Sequence, residues 1–291
     1  MATFKQNPKK RNRHEFNKNP NPSKNPNTIP LKSKRPNKKK KSQNNEEDNE
    51  IEKSKSKSKS TTPCRVVSAA DLSASQQLRF FTERFESANS FKFSSLELES
   101  FKDSCVVEQS QGLEEDSEAL SKHMKRAFGK SWKEVLCDGK LAEGEVDPGN
   151  PAVLVISTSA LRSLELLRSL RPLTSECRAA KLFAKHMKVE EQVSSLKSRV
   201  NIASGTPSRI KKLIEIDALG LSRLAVLVLD MHTDAKGYSL FTLPQVSGEF
   251  WDLYNSYFHQ KLVKGDLRIC LYGPIPCSNE EKDAPEPVDD E

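Results

Sequence analysis

The chain has 291 residues, with 47 Lys and Arg against 40 Asp and Glu, and a pI near 9.0. Its charge is uneven, because residues 1–60 hold 18 basic and 6 acidic residues, residues 280–291 hold 1 basic and 7 acidic residues, and the remainder has a net charge of +1. The longest strong apolar runs, residues 152–156 and 224–229, are strand-sized and no apolar leader stands at the start, which argues against membrane-spanning and secretory classes and predicts a soluble protein.

The six cysteines are scattered and form no CxxC pair, a pattern that predicts reduced thiols in an intracellular protein. Zinc ligation by Cys270, Cys277 and a distant histidine is a minor alternative, because tightly paired spacings are missing. We therefore predict no metal site and no cofactor.

Residues 1–64 are rich in Asn, Pro, Lys and Ser and nearly free of aliphatic residues, so they offer no apolar face to offset the entropy of ordering. They are predicted to form a disordered basic arm, and residues 278–291 a disordered acidic tail. Within the arm, residues 34–41 have a charge density typical of nuclear import signals, the alternative being a solvated tail that does little. The predicted import signal consists of Lys34, Arg35, Lys38, Lys39, Lys40 and Lys41.

Residues 65–150 are predicted to form a helical extension that packs on the core. Ser73 or Ser75 is a candidate N-cap for a first helix, in which Leu78, Phe81 and Phe85 recur at helical spacing. A second amphipathic helix is predicted over residues 115–136, with Gly129 as a candidate interruption and Gly139 as its end.

Residues 151–277 alternate short apolar strands with helical stretches, which is the signature of a parallel sheet covered by helices on both faces. The predicted strands are residues 152–156, 179–183, 200–203, 224–229 and 267–271, and the predicted helices are residues 160–170, 189–197, 208–216 and 249–263. Strands joined by right-handed crossovers make an open doubly wound α/β sheet, and its sites should lie at the carboxyl ends of the strands.

Two motifs that suggest phosphoryl chemistry are incomplete. Gly129-Lys130-Ser131 looks like the end of a phosphate-binding loop, but Met124 stands where that loop needs glycine, and a helix precedes it instead of a strand. Asp230 follows a buried strand and would suit Mg²⁺, but Met231 replaces the carboxylate that orients the attacking water. We expect Asp230 to accept hydrogen bonds from the neighbouring loop, and His232 to be a polar loop residue. Spacing alone leaves a Ser-His-Asp triad open.

Two polar segments follow predicted strands and favour an anionic ligand. Gly205-Thr206-Pro207-Ser208-Arg209 opens a helix, with Thr206 as the N-cap, and its free amides together with Arg209 suit a phosphodiester. Lys185, His186 and Lys188 lie in the loop after the strand at residues 179–183, at the same edge of the sheet. The alternatives are a well-capped helix and ordinary solvated side chains.

The order of these motifs resembles a decayed first domain of a DEAD-box helicase. Thr206-Pro207-Ser208-Arg209 is similar to TPGR, residues 228–233 (VLDMHT) resemble VLDEAD, and residues 157–162 (STSALR) resemble PTRELA more weakly, keeping Thr158 and Leu161. Together with residues 181–188 (KLFAKHMK) and the segment from Asp230 to Asp234, they resemble the CMS family, degenerate DEAD-box-like proteins of the small-subunit processome, over about residues 65–277.

The resemblance implies a single RecA-like domain over residues 151–277, with Asp230 and Asp234 as remnants of the VLDEAD motif. It implies an RNA-contacting edge with the candidate residues Thr158, Lys185, His186, Lys188, Gly205, Thr206 and Arg209. The chain departs from active helicases because it lacks the phosphate loop and the length for a second RecA-like domain, and because Tyr272-Gly273-Pro274 replaces a Ser-Ala-Thr motif.

These departures predict a non-enzymatic, RNA-associated factor of small-subunit pre-rRNA processing, located in the nucleus and nucleolus. The implied partners are pre-rRNA or small nucleolar RNA, processome proteins and a nuclear import receptor, with no membrane. A residual RNA-dependent NTPase and a protein-interaction scaffold without RNA contact are the alternatives. Nucleotide binding would distinguish the NTPase from the other two hypotheses. RNA binding by residues 65–277 alone would distinguish the RNA-associated factor from the scaffold.

Overall fold

The computed structural model describes residues 65–109, 118–139 and 147–277. The predicted basic arm, its import signal and the predicted acidic tail lie outside these ranges. The elements before the central sheet are β1 (Arg65–Ser68), α1 (Ala74–Asn89), α2 (Ser95–Glu99) and α3 (Ala119–Phe128). The elements of the central sheet and its crossovers are β2 (Val153–Ile156), α4 (Ala160–Ser169), β3 (Ala180–Leu182), α5 (Val189–Leu196), β4 (Ile202–Gly205), α6 (Pro207–Glu215), β5 (Val226–Asp230), α7 (Pro244–Leu253), α8 (His259–Lys264) and β6 (Arg268–Tyr272), followed by β7 (Pro274–Cys277).

The central sheet has five parallel strands in the order β3-β4-β2-β5-β6. The chain runs outward from β2 to one edge and then returns to build the other edge, which confirms the predicted doubly wound α/β sheet. Strand ends differ from the prediction by one or two residues, most clearly at β4, which was expected to end at Ala203 and continues to Gly205.

Both faces of the sheet are covered, as the unbroken apolar strands predict. Leu154 and Leu227 belong to a core that packs under α1, α6, α7 and α8, whereas Val153 and Val226 belong to a second core under α3 and α4. The alternation follows from the two-residue repeat of a strand, which sends successive side chains to opposite faces of the sheet.

The N-terminal helices confirm part of the prediction. Ser73 is the N-cap of α1, and its hydroxyl and the Gln76 side chain form a capping box. The predicted second helix over residues 115–136 is interrupted, because α3 ends at Phe128 and Gly129 adopts a positive φ of 54°. A short turn at Gly129–Ser131 and a π-helical turn at Lys133–Cys137 follow, so the helix closes two residues before Gly139.

Two β-structured segments outside the central sheet were not predicted from the sequence. β1 pairs antiparallel with β7, in a separate two-stranded ribbon. Val106 bridges Ile269 in parallel, and the Val107 N–H donates to the Ile269 carbonyl at 2.8 Å, so this segment lies along the outer edge of β6. None of the described helices is long and apolar enough to cross a membrane.

Candidate functional site

The carboxyl ends of four neighbouring strands bring most of the predicted site residues to one edge of the sheet. Gly205 at the end of β4 pairs with Leu182 of β3 on one side and with Ile156 of β2 on the other. The Thr206 N–H donates to the Leu182 carbonyl at 3.1 Å, and the Ser157 N–H donates to the Gly205 carbonyl at 3.0 Å. Adjacent strands are therefore followed by candidate residues: β3 by the loop at residues 183–188, β4 by Thr206 and β2 by Thr158. Asp230 ends the next strand, β5.

The loop after β3 presents Lys185, His186 and Lys188 to solvent. All three side chains are exposed, and His186 holds the left-handed conformation with φ of 59°. Glu191 in the first turn of α5 faces back toward the backbone, where its carboxylate accepts the Lys188 N–H at 3.2 Å. The loop thus offers two ammonium groups and an imidazole at the sheet edge.

Arg209 connects this loop to α6. Its Nη1 donates to Gln192 Oε1 at 2.7 Å and to the Met187 carbonyl at 3.3 Å. Sequence reasoning offered Arg209 as a phosphate clamp, whereas the structure uses one arm of its guanidinium inside the protein. Arg209 therefore holds the loop in place, and any contact with a phosphate is left to its remaining N–H groups.

Gln192 was not found from the sequence, although it links the site to the edge strand. It is 1% exposed, and its Nε2 donates to the carbonyls of Lys181 at 2.8 Å and Phe183 at 3.0 Å. Leu182, the residue between them, bonds toward β4, so Lys181 and Phe183 direct their carbonyls away from the sheet. Gln192 therefore caps the free edge of β3, where open carbonyls would invite pairing with another strand.

Gly205 and Thr206 have mainly structural roles in the geometry. A Cβ on Gly205 would stand 2.0 Å from the Leu182 carbonyl oxygen, so glycine is needed for β3 and β4 to pack. Thr206 is the predicted N-cap and Pro207 opens α6, but the Thr206 hydroxyl makes no capping hydrogen bond. The Ile210 N–H donates to the Thr206 carbonyl at 3.1 Å, so the N–H groups of Ser208 and Arg209 have no intrahelical acceptor and remain available to an anion.

The carboxylate of Asp230 is hydrogen-bonded to two side chains. Arg162 of α4 donates from Nε to Oδ2 at 2.8 Å and from Nη2 to Oδ1 at 3.1 Å, and His232 Nδ1 lies 2.8 Å from Oδ1. Asp230 is 0% exposed. Burial would lower the pKa of Arg162, but the hydrogen bonds and charge of Asp230, supported by Glu165, raise it above its ordinary value.

Each carboxylate oxygen of Asp230 therefore has a hydrogen-bond partner within the protein. The hydrogen bond that was expected from the neighbouring loop is the contact with His232. The role of Arg162 was not predicted, because 68 positions separate it from Asp230 in the sequence. A metal ion would have to displace the guanidinium from a bidentate pair. Met231 is 2% exposed and packs in the core, so it contributes no polar group beside Asp230.

The remaining predicted residues have local roles. Asp234 Oδ1 accepts the N–H groups of Lys236 at 2.8 Å and Tyr238 at 2.9 Å, which makes Asp234 the organiser of a turn. Cys270 is fully buried, and burial raises its thiol pKa to about 12, so it is a poor zinc ligand. Within residues 65–109, 118–139 and 147–277, no group of three or more His, Cys, Asp and Glu residues is placed to hold a metal ion.

Comparison with known proteins identifies the family. Residues 17–272 match the family model named CMS1, described as a U3-containing 90S pre-ribosomal complex subunit. The chain belongs to the CMS1 family. This match includes the whole sheet and most of the basic arm, and it confirms the resemblance to the CMS family.

Proteins named CMSS1 or CMS1 are similar in sequence to part of the chain. The Danio rerio protein CMSS1 is 32% identical over 171 residues, which are 57% of this chain and 59% of the relative. The Homo sapiens CMSS1 is 36% identical over 133 residues, 45% of each chain, and the Chaetomium thermophilum CMS1 is 43% identical over 100 residues, 33% of this chain and 40% of the relative. The chain thus spans about three fifths of the zebrafish relative's length.

Solved DEAD-box structures are among the structural neighbours. The yeast DEAD-box splicing factor Prp28 matches at 16% identity and a TM-score of 0.37, over 56% of this chain and 34% of Prp28. A DEAD box protein from Methanococcus jannaschii matches at 19% identity and a TM-score of 0.27, over 44% of this chain and 32% of that protein. With TM-scores this low, nothing about activity follows from these neighbours.

Proposed function

We propose that this CMS1-family chain is a non-catalytic, RNA-binding subunit of the pre-ribosomal particle, acting in small-subunit pre-rRNA processing in the nucleolus. The family description supports a role in ribosome assembly. The observation that supports the non-catalytic part is the bidentate pairing of Asp230 with Arg162, because a metal ion would have to compete with the guanidinium for both carboxylate oxygens.

The RNA contact is assigned to the carboxyl edge of the sheet. Lys185 and Lys188 supply exposed ammonium groups, and the N–H groups that open α6 next to Thr206 supply a partial positive charge. Arg209 braces the loop that carries the lysines, so the cations are positioned by a hydrogen-bonded support. Such contacts bind the phosphate backbone of pre-rRNA or small nucleolar RNA without reading its sequence.

The basic arm provides the second part of the proposal. Residues 1–60 carry a net charge of +12, which gives sequence-independent affinity for RNA through counterion release. The cluster from Lys34 to Lys41 is proposed to bind a nuclear import receptor, which would bring the chain to processome proteins in the nucleus.

The non-catalytic assignment is tested by phosphate release from ATP with the full chain and an excess of single-stranded RNA. We expect the rate to equal that of a protein-free blank, and Asp230→Asn to leave it unchanged. RNA-stimulated release that disappears in Asp230→Asn would establish the NTPase alternative instead.

The RNA assignment is tested by ultraviolet crosslinking in cells, with sequencing of the attached RNA and mass spectrometry of the attached peptides. We expect pre-rRNA or small nucleolar RNA, joined to peptides of the arm and of residues 183–209. Recovery of the chain in pre-ribosomal particles without any crosslinked RNA would favour a protein-interaction scaffold.

A further inference from the structure

A second basic surface lies on α3 and the turn that follows it. Residues 122–133 contain five basic side chains and no acidic one, although residues 61–279 as a whole have a net charge of only +1. The members of this basic α3 surface are Lys122, Lys125, Arg126, Lys130 and Lys133. The failed match of Gly129-Lys130-Ser131 to a phosphate-binding loop leaves this concentration of charge unexplained.

The packing of α3 directs these cations outward. Leu120 and Met124 are 0% exposed and pack in the core beneath α3, which leaves the basic side chains on the other side of the helix. Lys125 Nζ lies 4.8 Å and Lys133 Nζ 5.6 Å from the centre of the Trp132 ring, so one indole holds two ammonium groups close together.

Three of the five cations lack an acidic partner in the described structure. Lys125, Lys130 and Lys133 form no ion pair within 4 Å with a residue of the described ranges, and Glu134, the next residue along, is not paired with Lys133. Lys122 and Arg126 already interact within the protein, so they carry no part of the inference. Unpaired like charges held together create a local positive potential that an anion relieves.

This surface lies at the opposite edge of the sheet from Lys185 and Thr206. Three arginines near the amino ends of strands donate to backbone carbonyls of the α3 region. Arg268 at the start of β6 bonds Ala127 at 2.8 Å, Arg223 before β5 bonds Val135 at 3.3 Å, and Arg199 before β4 bonds Glu134 at 3.2 Å. A strand of four or five residues separates the two edges by about 15 Å.

We propose that Lys125, Lys130 and Lys133 form a second contact for the RNA backbone, at the amino edge of the sheet. This inference rests on the proposed RNA-binding function and adds a surface that the carboxyl-edge contact does not include. RNA backbone is favoured over an acidic protein because residues 118–139 contain no exposed large hydrophobic side chain, whereas a protein interface needs an apolar core. Charged groups without an apolar anchor suit phosphates.

The first test is lysine footprinting on the full wild-type chain, with an amine-acetylating reagent and mass spectrometry, in the presence and absence of single-stranded RNA. We expect RNA to slow acetylation of Lys130 and Lys133, and to leave Lys102 and Lys264 unprotected as exposed controls outside both proposed contacts. Equal rates at Lys130 and Lys133 with and without bound RNA would overturn the proposal. No variant is required, so the result does not depend on folding of a mutant.

The second test compares RNA affinity across salt concentrations for Lys130→Gln/Lys133→Gln and the matched control Lys102→Gln/Lys264→Gln. Lys125 is retained on Trp132 to preserve the stack, and thermal melting checks the fold. We expect the first variant to reduce the slope of log K against log salt by about 1.4, since each phosphate contact on a single strand contributes about 0.7, and the control to keep the wild-type slope.

The outcomes separate this inference from the proposed function. A slope reduced by Lys185→Gln/Lys188→Gln but not by Lys130→Gln/Lys133→Gln would overturn the amino-edge contact and leave the carboxyl edge standing. The reverse result would support the amino-edge contact alone. Loss of poly-glutamate binding in Lys130→Gln/Lys133→Gln with an unchanged RNA slope would mark an acidic-protein surface and overturn the RNA assignment.

Discussion

Asp230, Arg162 and His232 form a hydrogen-bonded cluster that organises the carboxyl end of β5. The pair joins α4 to β5, and the His232 ring packs 5.4 Å from the ring of Tyr272. Gly273 leaves the space for that imidazole, since a Cβ there would stand 2.4 Å from His232 Nδ1. Met231 in place of a carboxylate and the hydrogen bonds from Arg162 both support the proposal that Asp230 has a structural role.

Arg162→Ala should lower the free energy of unfolding by about 3 kcal/mol, because it leaves the Asp230 carboxylate buried with one fewer charged partner. The matched control is Arg79→Ala, which removes an exposed helical ion pair with Glu83 and should cost at most about 0.5 kcal/mol. Urea unfolding of the two variants measures the difference. Equal losses would contradict a structural role for the buried pair.

Because His123 is buried, the free energy of unfolding should fall at mildly acidic pH. Burial, followed by the charges of Arg126 and Lys122, lowers its pKa, and burial also lowers the pKa of His259. Below about pH 6.5 the unfolded chain binds protons that the folded chain refuses, so stability is lost as pH falls from 6.5 toward the folded pKa values. Each histidine contributes at most about 1.4 kcal/mol per pH unit. Urea unfolding between pH 7 and pH 5 should show this fall, and His123→Gln should make it shallower; an unchanged pH profile would contradict the assignment.

At the scale of elements, β3 is the exposed edge of the sheet and depends on its neighbours. Gln192 of α5 caps its outer carbonyls, and Gly205 of β4 permits the close approach on its inner side. The same elements support the loop with Lys185 and Lys188, because Gln192 also accepts a hydrogen bond from Arg209, which donates to the Met187 carbonyl.

Gly205→Ala should destabilise the protein by about 1–3 kcal/mol, because the new Cβ meets the Leu182 carbonyl, a backbone atom that cannot move aside. Gly248→Ala in α7 is the matched control, since no atom lies within 4 Å of its Cβ position and alanine favours a helix over glycine by about 0.5–1 kcal/mol. Thermal melts of both variants check this. A Gly205→Ala protein as stable as the wild type would show that β3 is not held as described.

Short-range patterns predicted much of the fold. The five parallel strands follow from apolar runs, and the Ser73 cap and the Gly129 interruption follow from local residue preferences. The start of α7 at Pro244 was missed, because the helix was expected to begin at Glu249. The β1/β7 ribbon was missed because Pro274 and Pro276 are unfavourable strand residues, tolerated at such an edge.

The candidate site could be predicted only in part from the sequence, because local patterns mark strand ends but not contacts between distant elements. Lys185, His186, Thr206 and Arg209 were placed at one edge because parallel strands end together. Arg162 and Gln192 act through contacts between elements that are distant in sequence, and no local pattern marks a buried side chain whose partner is chosen by the packing of helices. Gln192 engages Arg209, the expected phosphate clamp, within the protein, and Arg162 pairs with Asp230, which was expected to accept hydrogen bonds only from the neighbouring loop.

At the scale of the whole molecule, positive charge is concentrated in residues 1–60, which have a net charge of +12, whereas residues 61–279 have a net charge of +1. Replacing Lys38, Lys39, Lys40 and Lys41 with Gln should leave a tagged chain largely cytoplasmic, because it removes four of the six positive charges of the cluster at residues 34–41. Fluorescence microscopy measures the distribution, with replacement of Lys53, Lys55, Lys57 and Lys59 as the control. Unchanged nuclear accumulation would place the import signal elsewhere.

We propose that the carboxyl edge of the sheet binds RNA. The most direct measurement is a salt titration of single-stranded RNA binding by the full chain, compared with Lys185→Gln/Lys188→Gln. We predict that this variant binds more weakly at low salt and that its slope of log K against log salt is smaller by about 1.4, from two lost phosphate contacts. A variant with the wild-type affinity and slope would contradict the carboxyl-edge contact and leave a protein scaffold as the better account.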